Sequence, residues 1–248
     1  MINNKTNRFL AGRLSDPLFI AHQGYSDRYV GNTAASFRAA AKMAFYGIET
    51  DIRATADGVF VCNHNESAKF ADGGERTISA STYAELSEKP LRNTKTDEET
   101  YICLFEEYLR ICKSGGKIAV IELKETFSTE KLTQILRIID EQYDRTKVSV
   151  ISFYMETLLR VRQLDPSVEI QYLSSTVNDP VFGLCLTEGI PIDVRQPVLS
   201  KHLANVFHSR GLKVNVWTVN KKSDLWRVRY QQTDFVTSNL FCESSGEA

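Results

Sequence analysis

Residues 47–65 read GIETDIRATADGVFVCNHN, and both the fold and the chemistry of the chain can be argued outward from them. The first seven residues alternate with the period of a β-strand, which predicts Glu49 and Asp51 on one face. Asp57-Gly58 is a strong hairpin turn, and the apolar run after it carries His64 back toward the two carboxylates. Two acids on one face repel each other, and a divalent cation with oxygen ligands relieves that repulsion. The alternative is a salt-bridged surface hairpin, because ion-pair networks also cluster acids.

The composition is that of an ordinary globular chain, with 248 residues of which 42% are hydrophobic, 25% charged and 10% aromatic. Such a chain can bury a substantial core. The formal net charge of −1 and the lack of a long basic run argue against nucleic acid as a partner. No stretch has the length of a membrane span, and the five cysteines lack zinc-site spacing. We therefore expect a cytoplasmic protein without a membrane span, and the sequence leaves its oligomeric state open.

Strands and helices alternate along the chain. The apolar run 18–21 is a predicted buried strand, and the Ala-rich pattern 33–46 is a predicted helix with Thr33 as its N-cap. The polar residues 65–99 are predicted to be mainly loop, with a short helix near 81–88, and a helix is expected over 101–113. After the strand at 47–53, six further strands are predicted at 117–124, 147–152, 168–173, 190–194, 213–218 and 234–237. The helices predicted between them cover 128–142, 154–164, 179–188, 200–210 and 221–230.

Eight strands that alternate with helices predict an α/β fold, a TIM (β/α)8 barrel forming a single domain over residues 1–248. A β-hairpin and a polar loop would follow the second strand. Because the chain ends soon after the eighth strand, its last outer helix should be short, absent or replaced by the N-terminal segment. An open doubly wound sheet is the alternative, but no Gly-x-Gly-x-x-Gly turn follows the first strand.

The carboxyl ends of barrel strands carry the functional site in this architecture. Those ends bring together His22, Glu49 with Asp51, His64, Glu122 with Lys124, Ser152, Arg195, and Trp217 with Asn220. Glu122 and Lys124 alone could be an ion pair that lines the barrel. Beside Glu49 and Asp51, however, a third inward carboxylate favours one Mg²⁺ or Ca²⁺ ion over zinc. A metal, a lysine and two histidines together suit transfer at phosphorus. His202 and His208 fall on an outer helix and are interpreted as surface or packing residues.

A series of short motifs runs along the chain, in the order His22-Gln23-Gly24, Gly31-Asn32-Thr33, Glu49-Thr50-Asp51, Thr55-Ala56-Asp57-Gly58, His64, Glu122-Leu123-Lys124 and Trp217-Thr218-Val219-Asn220. In these motifs the chain resembles the glycerophosphodiester phosphodiesterase family of TIM barrels. Each motif alone is weak, but their order and spacing from about Phe19 to Leu240 are specific.

The resemblance implies a role for each matching residue. Glu49, Asp51 and Glu122 would hold the metal, while His22 and His64 would be the general acid and base. Lys124 would contact phosphate, and Trp217 would wall the alcohol side of the pocket. In this family a glycerol hydroxyl is thought to attack its own neighbouring phosphate, after which water opens the cyclic product. A tethered nucleophile removes much of the entropic barrier.

The chain departs from the family pattern at two neighbouring motifs. The family's arginine after the first histidine is Gln23 here, and the glutamate of its Glu-Asn-Thr motif is Gly31. Asn65 also replaces the usual aspartate after His64. An arginine and a glutamate on adjacent loops could form an ion pair, so the loss of both leaves no orphan charge. Gln23 keeps hydrogen bonding to substrate but loses the fixed charge.

Arg195, just past the sixth predicted strand, is a candidate to supply that charge, and the alternative is a surface arginine paired with Asp193 or solvent. The resemblance thus implies a small-molecule phosphodiester as substrate, cleaved to an alcohol and glycerol 3-phosphate. Alternatives are a related phosphodiesterase for another head group or a glycerol-phosphate polymer, and a phosphoester-binding barrel without turnover.

Overall fold

Eight parallel strands close into a barrel in the computed structural model of the chain, which describes residues 16–242. The strands are β1 (Leu18–Ala21), β2 (Gly47–Ala54), β3 (Phe60–Cys62), β4 (Ser67–Lys69), β5 (Glu75–Thr77), β6 (Cys103–Leu104), β7 (Ile118–Leu123), β8 (Val148–Ser152), β9 (Glu169–Ser174), β10 (Ile192–Arg195), β11 (Val214–Trp217) and β12 (Phe235–Ser238). The helices are α1 (Ala34–Ala41), α2 (Tyr83–Ser87), α3 (Phe105–Gly115), α4 (Thr129–Gln142), α5 (Met155–Leu164), α6 (Asp179–Glu188), α7 (Lys201–His208) and α8 (Lys222–Tyr230), with 3₁₀ turns at Ile78–Ala80 and Arg145–Lys147.

The barrel order is β1-β2-β7-β8-β9-β10-β11-β12, and it closes because β1 pairs in parallel with both β2 and β12. The predicted TIM barrel is therefore confirmed, and all eight predicted strands are present. Strand alternation separates two environments inside the barrel. Ile20 and Val120 belong to a buried apolar cluster, and two residues further along their strands come His22 and Glu122. The polar residues thus gather at the carboxyl ends of the strands, and the buried apolar cluster fills the barrel below them.

Helix α1 begins as predicted, since the Thr33 side chain accepts from the Ser36 main-chain N–H and the Ser36 hydroxyl completes a capping box. It ends at Ala41, which makes the prediction of a helix to Tyr46 wrong. The cause is the sheet. Tyr46 donates its N–H to the Phe19 carbonyl at 2.8 Å and accepts from the Ile118 N–H at 3.1 Å. A residue bonded to strands on both sides cannot remain in a helix.

The segment between β3 and α3 is more ordered than the predicted loop. β4 and β5 form a small antiparallel hairpin, and α2 lies within the predicted short helix. Buried apolar side chains spaced widely along the segment pack into a separate cluster: Val61, Ala68, Phe70, Ile78, Leu86, Leu91 and Ile102. The predicted helix over 101–113 is also wrong at its start, because Cys103 and Leu104 pair with β3 before α3 begins. We call residues 65–102 the insertion.

The prediction that the last outer helix is short, absent or replaced by the N-terminal segment concerns residues outside the described range 16–242. Within that range, none of the helices combines the length and apolar character needed to cross a lipid bilayer.

Candidate active site

Three buried carboxylates meet at the carboxyl ends of β2 and β7. Glu49 and Asp51 lie on the same face of β2, and the parallel register places Glu122 of β7 beside Asp51. One oxygen from each of the three carboxylates lies within 4.8 Å of the other two. This is an all-oxygen donor set of the kind that hard divalent cations prefer.

Amide groups hold two of these carboxylates in place. The Gln23 main-chain N–H donates to Glu49 Oε2 at 2.8 Å. Asp51 Oδ2 accepts from Gln23 Nε2 at 3.0 Å and from Asn32 Nδ2 at 2.8 Å. Asn32 Oδ1 in turn accepts from the Asp51 main-chain N–H at 3.2 Å. Donors aimed at the carboxylates fix their orientation toward a common point.

The Lys124 ammonium lies against the same cluster. Its Nζ is 2.9 Å from Glu122 Oε1 and 3.4 Å from Asp51 Oδ1. Burial alone would lower the pKa of Lys124, but the carboxylates of Asp51 and Glu122 raise it above its ordinary value. Lys124 is therefore a fixed positive charge at the edge of the acidic cluster.

Burial and mutual repulsion shift the acids themselves. Burial raises the pKa of Glu49 well above its usual value, and the charges of Asp51 and Glu122 add to the shift. The pKa of Glu122 is raised to about 8, first by burial and then by Asp51. Burial would raise the pKa of Asp51 too, but Lys124 holds it below its usual value. In the absence of a cation, the cluster thus carries protons at neutral pH.

His22 leaves β1 and points its imidazole into the barrel mouth. Its Nδ1 lies 2.8 Å from Asn239 Oδ1, so the tautomer that donates Nδ1–H leaves Nε2 free to accept a proton. Burial lowers the pKa of His22, which favours the neutral imidazole. His22 is therefore oriented by one nitrogen and available for proton transfer through the other.

His64 reaches the same mouth through the hairpin. The Asn63 N–H donates to the Asp51 carbonyl at 2.9 Å, which keeps the chain beside β2 as it leaves β3. The buried Arg53 guanidinium then donates to the His64 carbonyl at 3.0 Å. The imidazole itself is exposed, with Nδ1 3.1 Å from Asn65 Oδ1.

A cavity of about 150 Å³ lies between these groups. Phe153 and Trp217 form an aromatic wall on one side, with ring centroids 5.9 Å apart and planes nearly perpendicular. The Trp217 Nε1–H donates to the Asp193 carbonyl at 3.2 Å, which fixes the indole. The complete lining is His22, Glu49, His64, Glu122, Lys124, Ile151, Phe153, Leu173, Asp193, Trp217 and Thr237. We call this space the inner cavity.

The match to a known family covers most of the chain. The model of the "Glycerophosphoryl diester phosphodiesterase family" aligns with residues 22–239, from the first histidine of the inner cavity to the asparagine that orients it. The chain belongs to the glycerophosphoryl diester phosphodiesterase family.

Individual relatives agree with that membership. A glycerophosphodiester phosphodiesterase of Caldanaerobacter subterraneus subsp. tengcongensis is 27% identical over 230 residues, which cover 85% of this chain and 89% of the relative. One from Bacillus subtilis is 25% identical, covering 88% and 82%. The barrel also superposes on an Oleispira antarctica phosphodiesterase solved with its product sn-glycerol-3-phosphate, with a TM-score of 0.82 and 21% identity over 90% of this chain and 93% of the other.

Most of the residues singled out from the sequence meet at the inner cavity of this family member. Those that line the inner cavity are His22, Glu49, His64, Glu122, Lys124 and Trp217. Asp51 lies directly behind the lining, in contact with Lys124. Gln23 does not line the inner cavity; its amide is bonded to Asp51 instead. Arg195 is exposed, stands in register with Trp217 and does not line the cavity either. Within residues 16–242, its guanidinium has no ion pair or hydrogen bond, so its phosphate contact stays a prediction.

The two departures from the family pattern lie against each other in space. A Cβ added to Gly31 would lie 2.5 Å from Gln23 Oε1 and 2.9 Å from Gln23 Cβ. Both distances are shorter than van der Waals contact, so the Gln23 side chain occupies the space that a side chain at position 31 would need. The glutamine that holds Asp51 and the glycine at position 31 therefore form one structural unit.

Three contributors to the site went unnoticed in the sequence. Asn239 directly follows β12, and Phe153 directly follows β8, so the strand-end rule that found His22 could have found both. Asp193 is fully buried on β10, and its Oδ1 has no hydrogen-bond partner among the described residues. Burial raises the pKa of Asp193 well above its usual value, which favours the protonated carboxyl in the cavity wall.

Proposed function

We propose that this chain hydrolyses glycerophosphodiesters to an alcohol and glycerol 3-phosphate, with one divalent cation, Mg²⁺ or Ca²⁺, held by Glu49, Asp51 and Glu122. The observation that carries the proposal is one cavity lined by Glu49, Glu122, Lys124 and two histidines, with the Asp51 carboxylate directly behind it in the same acidic cluster. Family membership and the names of the two curated relatives support it. The sn-glycerol-3-phosphate in the Oleispira antarctica enzyme supports the same product class.

The donor set fits a hard cation. All three acids offer oxygen, their oxygens lie within 4.8 Å of one another, and amide donors orient Glu49 and Asp51. When bound, the cation would neutralise charge on the phosphate oxygens and assist displacement at phosphorus. Lys124, already beside Glu122, would contribute a second positive charge toward the same phosphate.

The two histidines supply proton transfer on either side of the phosphorus. In the first half of the reaction the substrate's own glycerol hydroxyl attacks phosphorus and gives its proton to one imidazole. The bond to the alcohol breaks, and the other imidazole gives that alcohol its proton. Water then opens the cyclic phosphate with the two proton-transfer roles exchanged, which restores both imidazoles. We place the glycerol carbon atoms, and not the leaving alcohol expected from the resemblance, against Trp217 and Phe153, and this restraint together with the tether lowers the entropic barrier.

We further propose that the chain acts as a single domain in a reducing cytoplasm. All five cysteines are free and four of them are buried, which suits a compartment where thiols stay reduced.

The activity test is the release of glycerol 3-phosphate from glycerophosphocholine. We expect release with Mg²⁺ or Ca²⁺ present, loss of release in EDTA, and recovery when the cation is returned in excess. Hydrolysis of bis(p-nitrophenyl) phosphate without glycerol 3-phosphate from any glycerophosphodiester would instead indicate another phosphodiester substrate. Binding without hydrolysis of either compound would indicate a barrel that has lost turnover.

Metal binding should strengthen as the pH rises from about 6 to about 8. The pKa of Glu49 is raised, and that of Glu122 is raised to about 8, so both acids hold protons at the lower pH and must release them to bind a cation. Calorimetric titration with Mg²⁺ or Ca²⁺, in buffers of different ionisation enthalpy, measures affinity and proton release together. Proton release should fall in Glu122→Gln. Equal affinity at both pH values, with no proton released, would rule out this donor set.

A further inference from the structure

A second cavity, of about 300 Å³, adjoins the inner cavity, and His22 lines both. We call it the outer cavity. Its lining includes Gln23 and Gly31 as well as His22, together with Arg92 and Lys95 of the insertion. Its lining includes these two cations and no carboxylate from the described residues. A site of this charge attracts an anion.

The inner cavity is smaller than most ligand pockets. Pockets that enclose drug-sized ligands have roughly 300–1,000 Å³, and the inner cavity has about 150 Å³. We therefore expect a substrate with its phosphate beside Lys124 and its glycerol against Trp217 to extend beyond the inner cavity. His22 lines both spaces, so an alcohol whose oxygen lies beside the imidazole can extend toward the outer cavity.

The two cations of the outer cavity are not neutralised within residues 16–242. Arg92 is exposed and makes no ion pair there, and Lys95 Nζ reaches only the Asp27 carbonyl at 3.4 Å. Their backbone is nevertheless anchored. The Arg92 N–H donates to the Lys69 carbonyl at 2.8 Å, and Asn93 Oδ1 accepts from the Lys95 N–H at 2.8 Å. Anchored backbone keeps both positive charges near the cavity.

The substitutions at positions 23 and 31 suit an anion in this place. Gly31 lines the outer cavity without a side chain, whereas a glutamate there would bring a negative charge into it. The Gln23 amide donates to Asp51 and carries no charge of its own. The positive charge thus comes from Arg92 and Lys95 of the insertion, which line the outer cavity and not the inner cavity that holds Lys124, so it can meet a group on the alcohol.

We propose that the outer cavity binds a phosphate carried by the alcohol part of the substrate, so that the preferred diesters join glycerol phosphate to an alcohol that is itself phosphorylated. This inference rests on the proposed function and names its substrate class. Arg92 and Lys95 are the specificity-determining residues, because each can donate charge-assisted hydrogen bonds to phosphate oxygens.

Glycerophosphoinositol and glycerophosphoinositol 4-phosphate form a matched pair that tests the proposal, since they share the scissile bond and differ by one phosphate. We expect kcat/KM for the phosphorylated compound to be at least about tenfold higher, as one or two hydrogen bonds to charged groups would give. The ratio of the two kcat/KM values should fall toward one in Arg92→Gln and in Lys95→Gln. It should also fall at high ionic strength, because both cations are solvent-accessible.

Lys69→Gln is the matched control, since Lys69 is an exposed cation of the same insertion that does not line the outer cavity. It should leave the ratio unchanged. Thermal unfolding of each variant checks that the insertion stays folded, and the salt dependence of the unaltered protein tests the proposal without any substitution. A ratio near one in the unaltered protein, with both compounds cleaved, overturns the outer-cavity proposal and leaves the proposed function standing. If the protein cleaves none of the three compounds, including glycerophosphocholine, the proposed function itself is overturned.

Discussion

Replacing His22 by alanine should lower turnover of a glycerophosphodiester by roughly 10²- to 10⁴-fold, the usual cost of losing one proton-transfer group. The imidazole lies at the end of β1, where its bond is to Asn239 and its open nitrogen is at the inner cavity. The imidazole is not part of the apolar core of the barrel, so the variant should remain folded. His64→Ala should show a loss of the same order, because His64 lines the same cavity from the hairpin.

The measurement is kcat at saturating substrate, with thermal unfolding and a pH–rate profile for each variant. His202→Ala is the matched control, since His202 is exposed on α7 and does not line the inner cavity. It should change neither kcat nor the pH profile. Unfolding of the His22 and His64 variants, with activity per folded molecule retained, would make both histidines structural and contradict the mechanism.

Replacing Asp51 by asparagine should weaken divalent cation binding by at least about 100-fold. Loss of groups that merely orient metal ligands typically costs 10- to 100-fold in affinity, and a ligand should cost no less. The substitution keeps the shape of the side chain but removes the charge that two amides and the Lys124 ammonium now surround. The asparagine side chain would also place its own NH2 donor against one of the three donors that now contact the carboxylate.

Calorimetric titration with the cation gives the affinity, and activity measured against cation concentration shows whether excess cation restores turnover. Restoration at high concentration is the expected result, because two carboxylates of the site remain. Asp72→Asn is the control, since Asp72 is an exposed acid of the insertion paired with Lys89. Cation affinity unchanged by Asp51→Asn would remove Asp51 from the metal site.

Periodicity explains why so much of the barrel could be predicted. The eight strands are short apolar runs between helical patterns, and side-chain alternation along β2 and β7 was enough to place Glu49, Asp51 and Glu122 together. These are local signals. In a closed parallel barrel the carboxyl ends of all strands lie at the same end, so residues found by local signals come together there. The same rule placed His22 and Trp217 at the inner cavity.

The remaining features depend on contacts between distant parts of the chain. The hydrogen bond that orients His22 joins residues 217 positions apart. The separate apolar cluster joins Val61 of β3 to side chains spread along the insertion as far as Ile102, and no regular period in the sequence indicates it. The outer cavity requires Arg92 and Lys95 to fold over Gln23 and Gly31, and no local pattern in either segment predicts that approach. Such features depend on tertiary packing, which single-sequence patterns do not encode.

The crowding between positions 23 and 31 has a consequence for how this site can change over generations. A Cβ added at position 31 would lie 2.5 Å from Gln23 Oε1 and 2.9 Å from Gln23 Cβ, so the Gln23 side chain has to shift, and we expect its hydrogen bond to Asp51 to weaken. A mutant library that varies position 31 alone should therefore score nearly every substitution as harmful, and the position would look invariant. A library that varies both positions together samples arrangements that the single steps exclude, including arginine with glutamate. The effects of substitutions at positions 23 and 31 are thus expected to be non-additive, because the side chain at one position determines which side chains fit at the other.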